Sequence, residues 1–156
     1  EDLPREAVHE AKRRIIDSLG CALGGYDDEP CRIARAMAAR VQSDRGARIL
    51  GTSHRTLPEL ATFANGVMTR YLDGNDTFPG GGGHPSDTIP PMLAVAEHAG
   101  SHGKELITAI ALAYEIYNAF FRGAIMREVE IHRLLTRERV LGLSLIKGVK
   151  WEGGVG

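Results

Sequence analysis

The chain has 156 residues, is 43% hydrophobic and 25% charged, and carries 19 basic against 20 acidic residues for a formal net charge of -1. That balance is the usual one for a globular domain, and it excludes collagen-like, low-complexity and wholly disordered chains. It also lacks the basic footprint of a nucleic-acid binder. No apolar run approaches the ~20 residues that span a bilayer, and the charged opening EDLPREAVHEAKRR has no signal-peptide character. Two cysteines, Cys21 and Cys31, are too few for a disulfide scaffold and fit a reduced, cytoplasmic compartment.

Pro4 sits where a first helical turn tolerates it. From there Ala7, Ala11, Ile15, Leu19 and Leu23 recur on one helical face, until Gly24 and Gly25 stop the helix. A second helix is expected from near Pro30, carrying Ile33, Ala34, Met37, Ala38 and Val41. Residues 47–51 (ARILG) read as a short extended segment. Pro58 opens a third helix with Leu60, Ala61, Ala64, Val67, Met68 and Tyr71, and Gly74 is placed as the glycine just past its end.

An irregular loop, Asn75 to Pro85, follows and includes Gly80 to Gly83. A fourth helix starts near Ser86 or Asp87, with Pro90 and Pro91 about its first turn. A fifth runs from about Lys104 to Phe121 and puts Leu106, Ile107, Ile110, Tyr114, Tyr117 and Phe121 on its buried side. Residues 125–141 fit a charged amphipathic helix, and the end reads as a tail. Strand patterns are nearly absent. The expected fold is mostly α, an antiparallel helical assembly with short connections, with a helical domain over 1–124 and a divergent helix and tail over 125–156.

Residues 71–87 (YLDGNDTFPGGGGHPSD) gather carboxylates, hydroxyls and a histidine around one loop. Asp73 stands at a predicted helix C-terminus, where the helix dipole disfavours a negative charge by roughly 0.3–1 kcal/mol. His84 precedes Pro85, which pushes its backbone towards an extended conformation. An imidazole near neutrality suits proton transfer, and a neighbouring carboxylate can orient it. Spacing alone leaves the bland reading open: Asp76 and Thr77 are ordinary turn residues, Asp87 an ordinary cap, and His84 a loop histidine. The four glycines lack the strand and Lys-Ser/Thr of a phosphate loop. Asp73, Asp76 and His84 match no standard metal spacing, so no metal or other cofactor is expected. Cys21 reads as core. Cys31 stands near a helix start, which could lower its pKa, but nothing beside it points to nucleophilic catalysis.

The run from Asn65 to Phe120 resembles the MmgE/PrpD family, whose members include 2-methylcitrate dehydratase and cis-aconitate decarboxylase. The matching pieces are Tyr71-Leu72-Asp73-Gly74-Asn75-Asp76-Thr77, His84-Pro85-Ser86-Asp87, Ala96-Glu97, Gly103-Lys104-Glu105-Leu106 and Tyr114-Glu115, with IIDSLGCALGG at Ile15 to Gly25 resembling the family's opening helix. Gly74 departs from the aromatic residue usual there. The resemblance implies a lyase, a dehydratase or decarboxylase acting next to a carboxylate of a small di- or tricarboxylate. It also implies a homodimer, with no nucleic-acid or membrane partner. By the same resemblance Asp73, Thr77 and His84 line the active site, His84 as acid/base, Asp73 as its orienter or a second acid, and Thr77 as a donor to substrate. Asp76 and Ser86 are taken as substrate-binding. The family's later histidine is carried onto His132, although Glu130 and Ile131 do not match its context. Family members are longer and have a second, α+β domain that supplies basic residues. The chain therefore reads as the N-terminal part of such a protein, and the alternative is a non-catalytic helical remnant or interaction module.

Overall fold

A computed structural model describes residues 3–78 and 83–123. The helix expected over 125–141, the tail, His132 and Gly80 to Gly82 lie outside the described residues. The architecture is mostly α. In chain order the elements are α1 (Arg5–Gly24), α2 (Glu29–Ala38), β1 (Ala47–Arg48), β2 (Arg55–Thr56), α3 (Pro58–Tyr71), a 3-10 turn (Pro85–Thr88), α4 (Ile89–Ala99) and α5 (Gly103–Gly123). Proline at the first positions of α2, α3 and α4 costs no hydrogen bond there.

Helix α3 packs against α1, α2 and α4. Its buried side, Ala61, Ala64, Asn65, Met68 and Thr69, explains how it serves three neighbours: small side chains let helix axes come close. One apolar cluster joins Ala22 of α1, Cys31, Ala34 and Ala38 of α2, Ile49, and Ala64 and Met68 of α3. A second joins Ala11, Ile89 and Ile110, and so links α1, α4 and α5.

The helical period of α2 holds, but the buried face differs from the expected one. Cys31, Ala34 and Ala38 face inward, while Ile33 and Met37 are about half exposed. On α1 the inward residues are Ala11, Ser18 and Ala22, and Leu23 is turned outward. The contacts select small residues at the tight crossings and turn bulkier ones away from them. Burial also pushes the Cys31 thiol up, and the nearby Asp28 adds to this, so the lowering expected at a helix start does not occur.

The segment at 47–51 is half of a hairpin. Ala47 pairs with Thr56 and Arg48 with Arg55, antiparallel, a partner strand that the sequence pattern did not signal. Asn65 of α3 holds this hairpin: its Oδ1 accepts the Leu50 N–H at 2.9 Å and its Nδ2 donates to the Arg48 carbonyl at 3.0 Å. From the other side Glu97 of α4 accepts the Arg48 N–H at 2.6 Å and an Arg55 guanidinium N–H at 2.9 Å. A buried amide with donor and acceptor both engaged is a stable core group.

Two helix ends also differ from expectation. A 3-10 turn occupies Pro85–Thr88, so α4 begins at Ile89 and neither Ser86 nor Asp87 is its cap residue. At the end of α3 the left-handed residue is Asp73, with φ of 51°, and Gly74 has no positive φ.

Candidate active site

The last turn of α3 sets the site. Arg70 lies there, where the helix dipole favours a cation, and its guanidinium pairs with Asp73 just beyond the helix end. That ion pair answers the unfavourable placement of a carboxylate at a helix C-terminus and holds Asp73 in its left-handed conformation. Asp and Asn adopt that conformation more readily than other L residues. The Arg70 pair holds the Asp73 carboxyl below the usual carboxylate range. A second carboxylate, Asp87, lies 3.9 Å from Arg70 Nε.

Beyond Asp73 the two arms of the loop are fastened to each other. The Asn75 amide, buried, donates to the Ser86 hydroxyl at 2.9 Å and to Asp87 Oδ1 at 3.1 Å. Asp76 Oδ1 accepts the Ser86 N–H at 2.9 Å. The Phe78 N–H donates to the Gly83 carbonyl at 3.0 Å and closes the glycine segment at its base.

His84 leaves this base extended, with φ of -126° and ψ of 99°, as a residue before proline does. Its Nε2 lies 3.5 Å from Asp73 Oδ1, and its side chain is 12% exposed. Its Nδ1 is buried with no hydrogen-bond partner among the described residues. A carboxylate beside Nε2 can orient the imidazole ring.

Helix α5 packs against the 3-10 turn that follows His84. The Tyr114 phenol donates to Asp76 Oδ2 at 2.8 Å, and an Arg14 guanidinium nitrogen of α1 lies 3.8 Å from the same oxygen. Burial, reinforced by the Asp76 hydrogen bond and charge, raises the Tyr114 phenol well above the ordinary phenol range. Burial and the Asp87 and Asp76 charges push the Tyr117 phenol up as well.

The structure thus brings Asp73 and His84 together across the loop. It places Thr77 on the exposed surface of the loop, and among the described residues no hydrogen bond joins Thr77 to either of them. Asp76 and Ser86 lie inside, with internal partners on the groups that were expected to meet substrate. Sequence reasoning missed the role of three residues. Arg70 turns towards Asp73 and Asp87, and Tyr114 and Arg14 converge on Asp76. The usable signal was Tyr114: a tyrosine on an apolar helix face needs a partner for its hydroxyl. A shallow groove of about 540 Å³ adjoins the site, lined in part by Arg70, Tyr71, Asp87 and Pro91. Among the described residues no group of three or more His, Cys, Asp or Glu side chains is arranged to hold a metal ion, and no helix is long and apolar enough to cross a membrane.

The described residues form a helical domain with an aspartate–histidine pair at a helix-end loop. Residues 1–138 match the MmgE/PrpD N-terminal domain, and the chain belongs to the MmgE/PrpD family. It is 39% identical over 90 residues to an alkylcitrate dehydratase of Talaromyces stipitatus, covering 56% of this chain and 19% of that protein. It is 33% identical over 129 residues to the 2-methylcitrate dehydratase of Cupriavidus necator, covering 78% of this chain and 27% of that protein. The 2-methylcitrate dehydratase of Escherichia coli K12 is 32% identical over 114 residues, 65% of this chain and 24% of the relative. The chain therefore spans less than a third of the length of these relatives.

Proposed function

We propose that this chain carries the proton-handling part of a dehydratase site for a small di- or tricarboxylate. The observation that supports this most is the contact of His84 Nε2 with Asp73 Oδ1 at 3.5 Å across the loop. Loss of water from a hydroxy acid needs a base for the C–H proton and an acid for the departing hydroxyl. An imidazole oriented by a carboxylate can take the proton and return it. In this reading His84 is the acid/base, Asp73 orients it, and Thr77 faces the substrate from the exposed side of the loop. Asp76 and Ser86 shape the loop from within.

A carboxylate substrate also needs cations that act on it in the transition state. Arg70, at the end of α3, is already engaged by Asp73 and Asp87. This chain by itself is therefore expected to give no useful turnover of 2-methylcitrate or cis-aconitate. A second copy of the chain is the expected partner in solution, and a stable monomer by light scattering at micromolar concentration would count against that.

The test is a chimera. Residues 1–123 replace the matching stretch of the Escherichia coli 2-methylcitrate dehydratase, and formation of unsaturated product is followed. The chimera is expected to dehydrate 2-methylcitrate, and His84→Gln to lower kcat by about 10²–10⁴-fold. A folded chimera without activity, or one indifferent to His84→Gln, would show the helical domain to be a non-catalytic remnant.

A further inference from the structure

We propose that Asp76 is a positioning residue for His84, tying the turn that carries the imidazole to α5 through Tyr114 and to α1 through Arg14. The catalytic meaning of this tether rests on His84 being the proton carrier; the tether itself does not.

Asp76 is badly placed to meet a ligand. Its side chain is 6% exposed, and a negatively charged substrate would be repelled by it. A carboxylate buried to that degree is tolerated only when its oxygens are filled by donors. Both are filled, and from different parts of the fold. Oδ1 takes the Ser86 N–H from the 3-10 turn, and Oδ2 takes the Tyr114 hydroxyl from the middle of α5, 38 residues along the chain. Arg14 of α1 supplies the balancing charge at 3.8 Å. Three elements therefore meet on one side chain.

The path from that side chain to the imidazole is short and stiff. Ser86 is separated from His84 only by Pro85, whose ring locks φ, and Pro85 and Ser86 are both buried. The His84 carbonyl accepts the Asp87 N–H at 3.0 Å, so the peptide units on either side of the proline are both held. Fixing Ser86 thus fixes the direction in which the His84 ring leaves the backbone, and with it the approach to Asp73. The raised Tyr114 phenol is consistent with this: the hydroxyl keeps its proton, and so remains a donor, throughout the neutral range.

The test uses the whole 156-residue chain and needs no turnover. Diethyl pyrocarbonate modifies accessible imidazoles, and mass spectrometry of the digest reads each histidine separately. His9 and His102, both exposed, serve as internal references. Tyr114→Phe keeps the shape of the ring and removes only the donor. It is expected to raise the His84 rate relative to the references by about fivefold, the change in open population when one hydrogen bond of ordinary strength is lost. The Ser86 amide is expected to exchange faster by a similar factor. Ile49→Val, buried in the other apolar cluster and away from Tyr114, lowers global stability and is expected to leave the His84 ratio unchanged. Asp76→Asn is expected to exceed Tyr114→Phe. If Asp76→Asn does not fold, the comparison of Tyr114→Phe with Ile49→Val decides the matter. An unchanged His84 ratio in Tyr114→Phe, or an equal rise in Ile49→Val, overturns the tether and leaves the dehydratase reading standing. An inactive chimera overturns that reading and leaves the tether standing.

Discussion

Asp73 meets two partners from opposite directions: the Arg70 guanidinium from the last turn of α3, and His84 Nε2, 3.5 Å from its Oδ1, from the far arm of the loop. Asp73 is thus the hinge between a helix end and an imidazole, and it occupies a left-handed backbone position in doing so. The Arg70 pair depresses its pKa, which sets the sign of a pH effect. A carboxyl whose pKa falls on folding stabilises the fold above its unfolded value, about 4, and loses that contribution as pH drops through the lower folded value. Asp73→Asn is therefore expected to lower the urea midpoint at pH 6. The two proteins should converge below about pH 3. A difference that persists unchanged in acid would refute the ion-pair account.

Tyr114 gives the opposite dependence. Its phenol pKa rises on folding, so its contribution is complete below the unfolded value of about 10 and is lost as pH climbs towards the folded one. At pH 7, Tyr114→Phe leaves one Asp76 oxygen short of a donor and is expected to cost about 1–3 kcal/mol. Above about pH 10 that gap should narrow. Paired urea titrations at neutral and alkaline pH check this, and a gap that widens with pH would contradict it.

The crossing of α2 with α3 is built on alanines, which makes a test of size. Ala34, 3% exposed, lies in the apolar cluster with Met68, whereas Ile33 beside it is 53% exposed. Ala34→Leu forces extra volume into a closed contact and is expected to destabilise by about 1–3 kcal/mol. Ile33→Ala, the larger chemical loss, should stay within about 0.5 kcal/mol. Denaturant unfolding of the two variants decides which face is inside.

Gly46 precedes β1 and lies against the partner strand. A Cβ there would stand 1.8 Å from the Thr56 carbonyl oxygen, which is backbone and cannot turn aside. Gly46→Ala is expected to break the hairpin register and to lower stability by about 1–3 kcal/mol. Amide exchange should then rise at Ala47 and Ile49 more than along α5. Retention of wild-type protection at both amides would show that the hairpin can shift to make room.

The sequence by itself determined the helices, their approximate limits and the loop that carries Asp73 and His84. Those are local matters: 3.6-residue periodicity, proline at helix starts, glycine at turns and the extended residue before a proline are settled within a few neighbours. It also determined the family, because the motif lies along one continuous stretch. Tertiary structure alone decided which face of α2 turns inward, since periodicity gives a stripe but only the neighbouring helix selects Cys31, Ala34 and Ala38 over Ile33 and Met37. It alone decided that Asp73, not Gly74, takes the left-handed position, because the Arg70 and His84 contacts outweigh glycine's freer backbone. It alone took Asp76 and Ser86 out of solvent. Ser86 meets Asn75 across the loop, but the partner of Asp76, Tyr114, lies 38 residues along the chain, and whether a carboxylate faces a substrate or a phenol depends on packing in space, which adjacency in sequence does not encode.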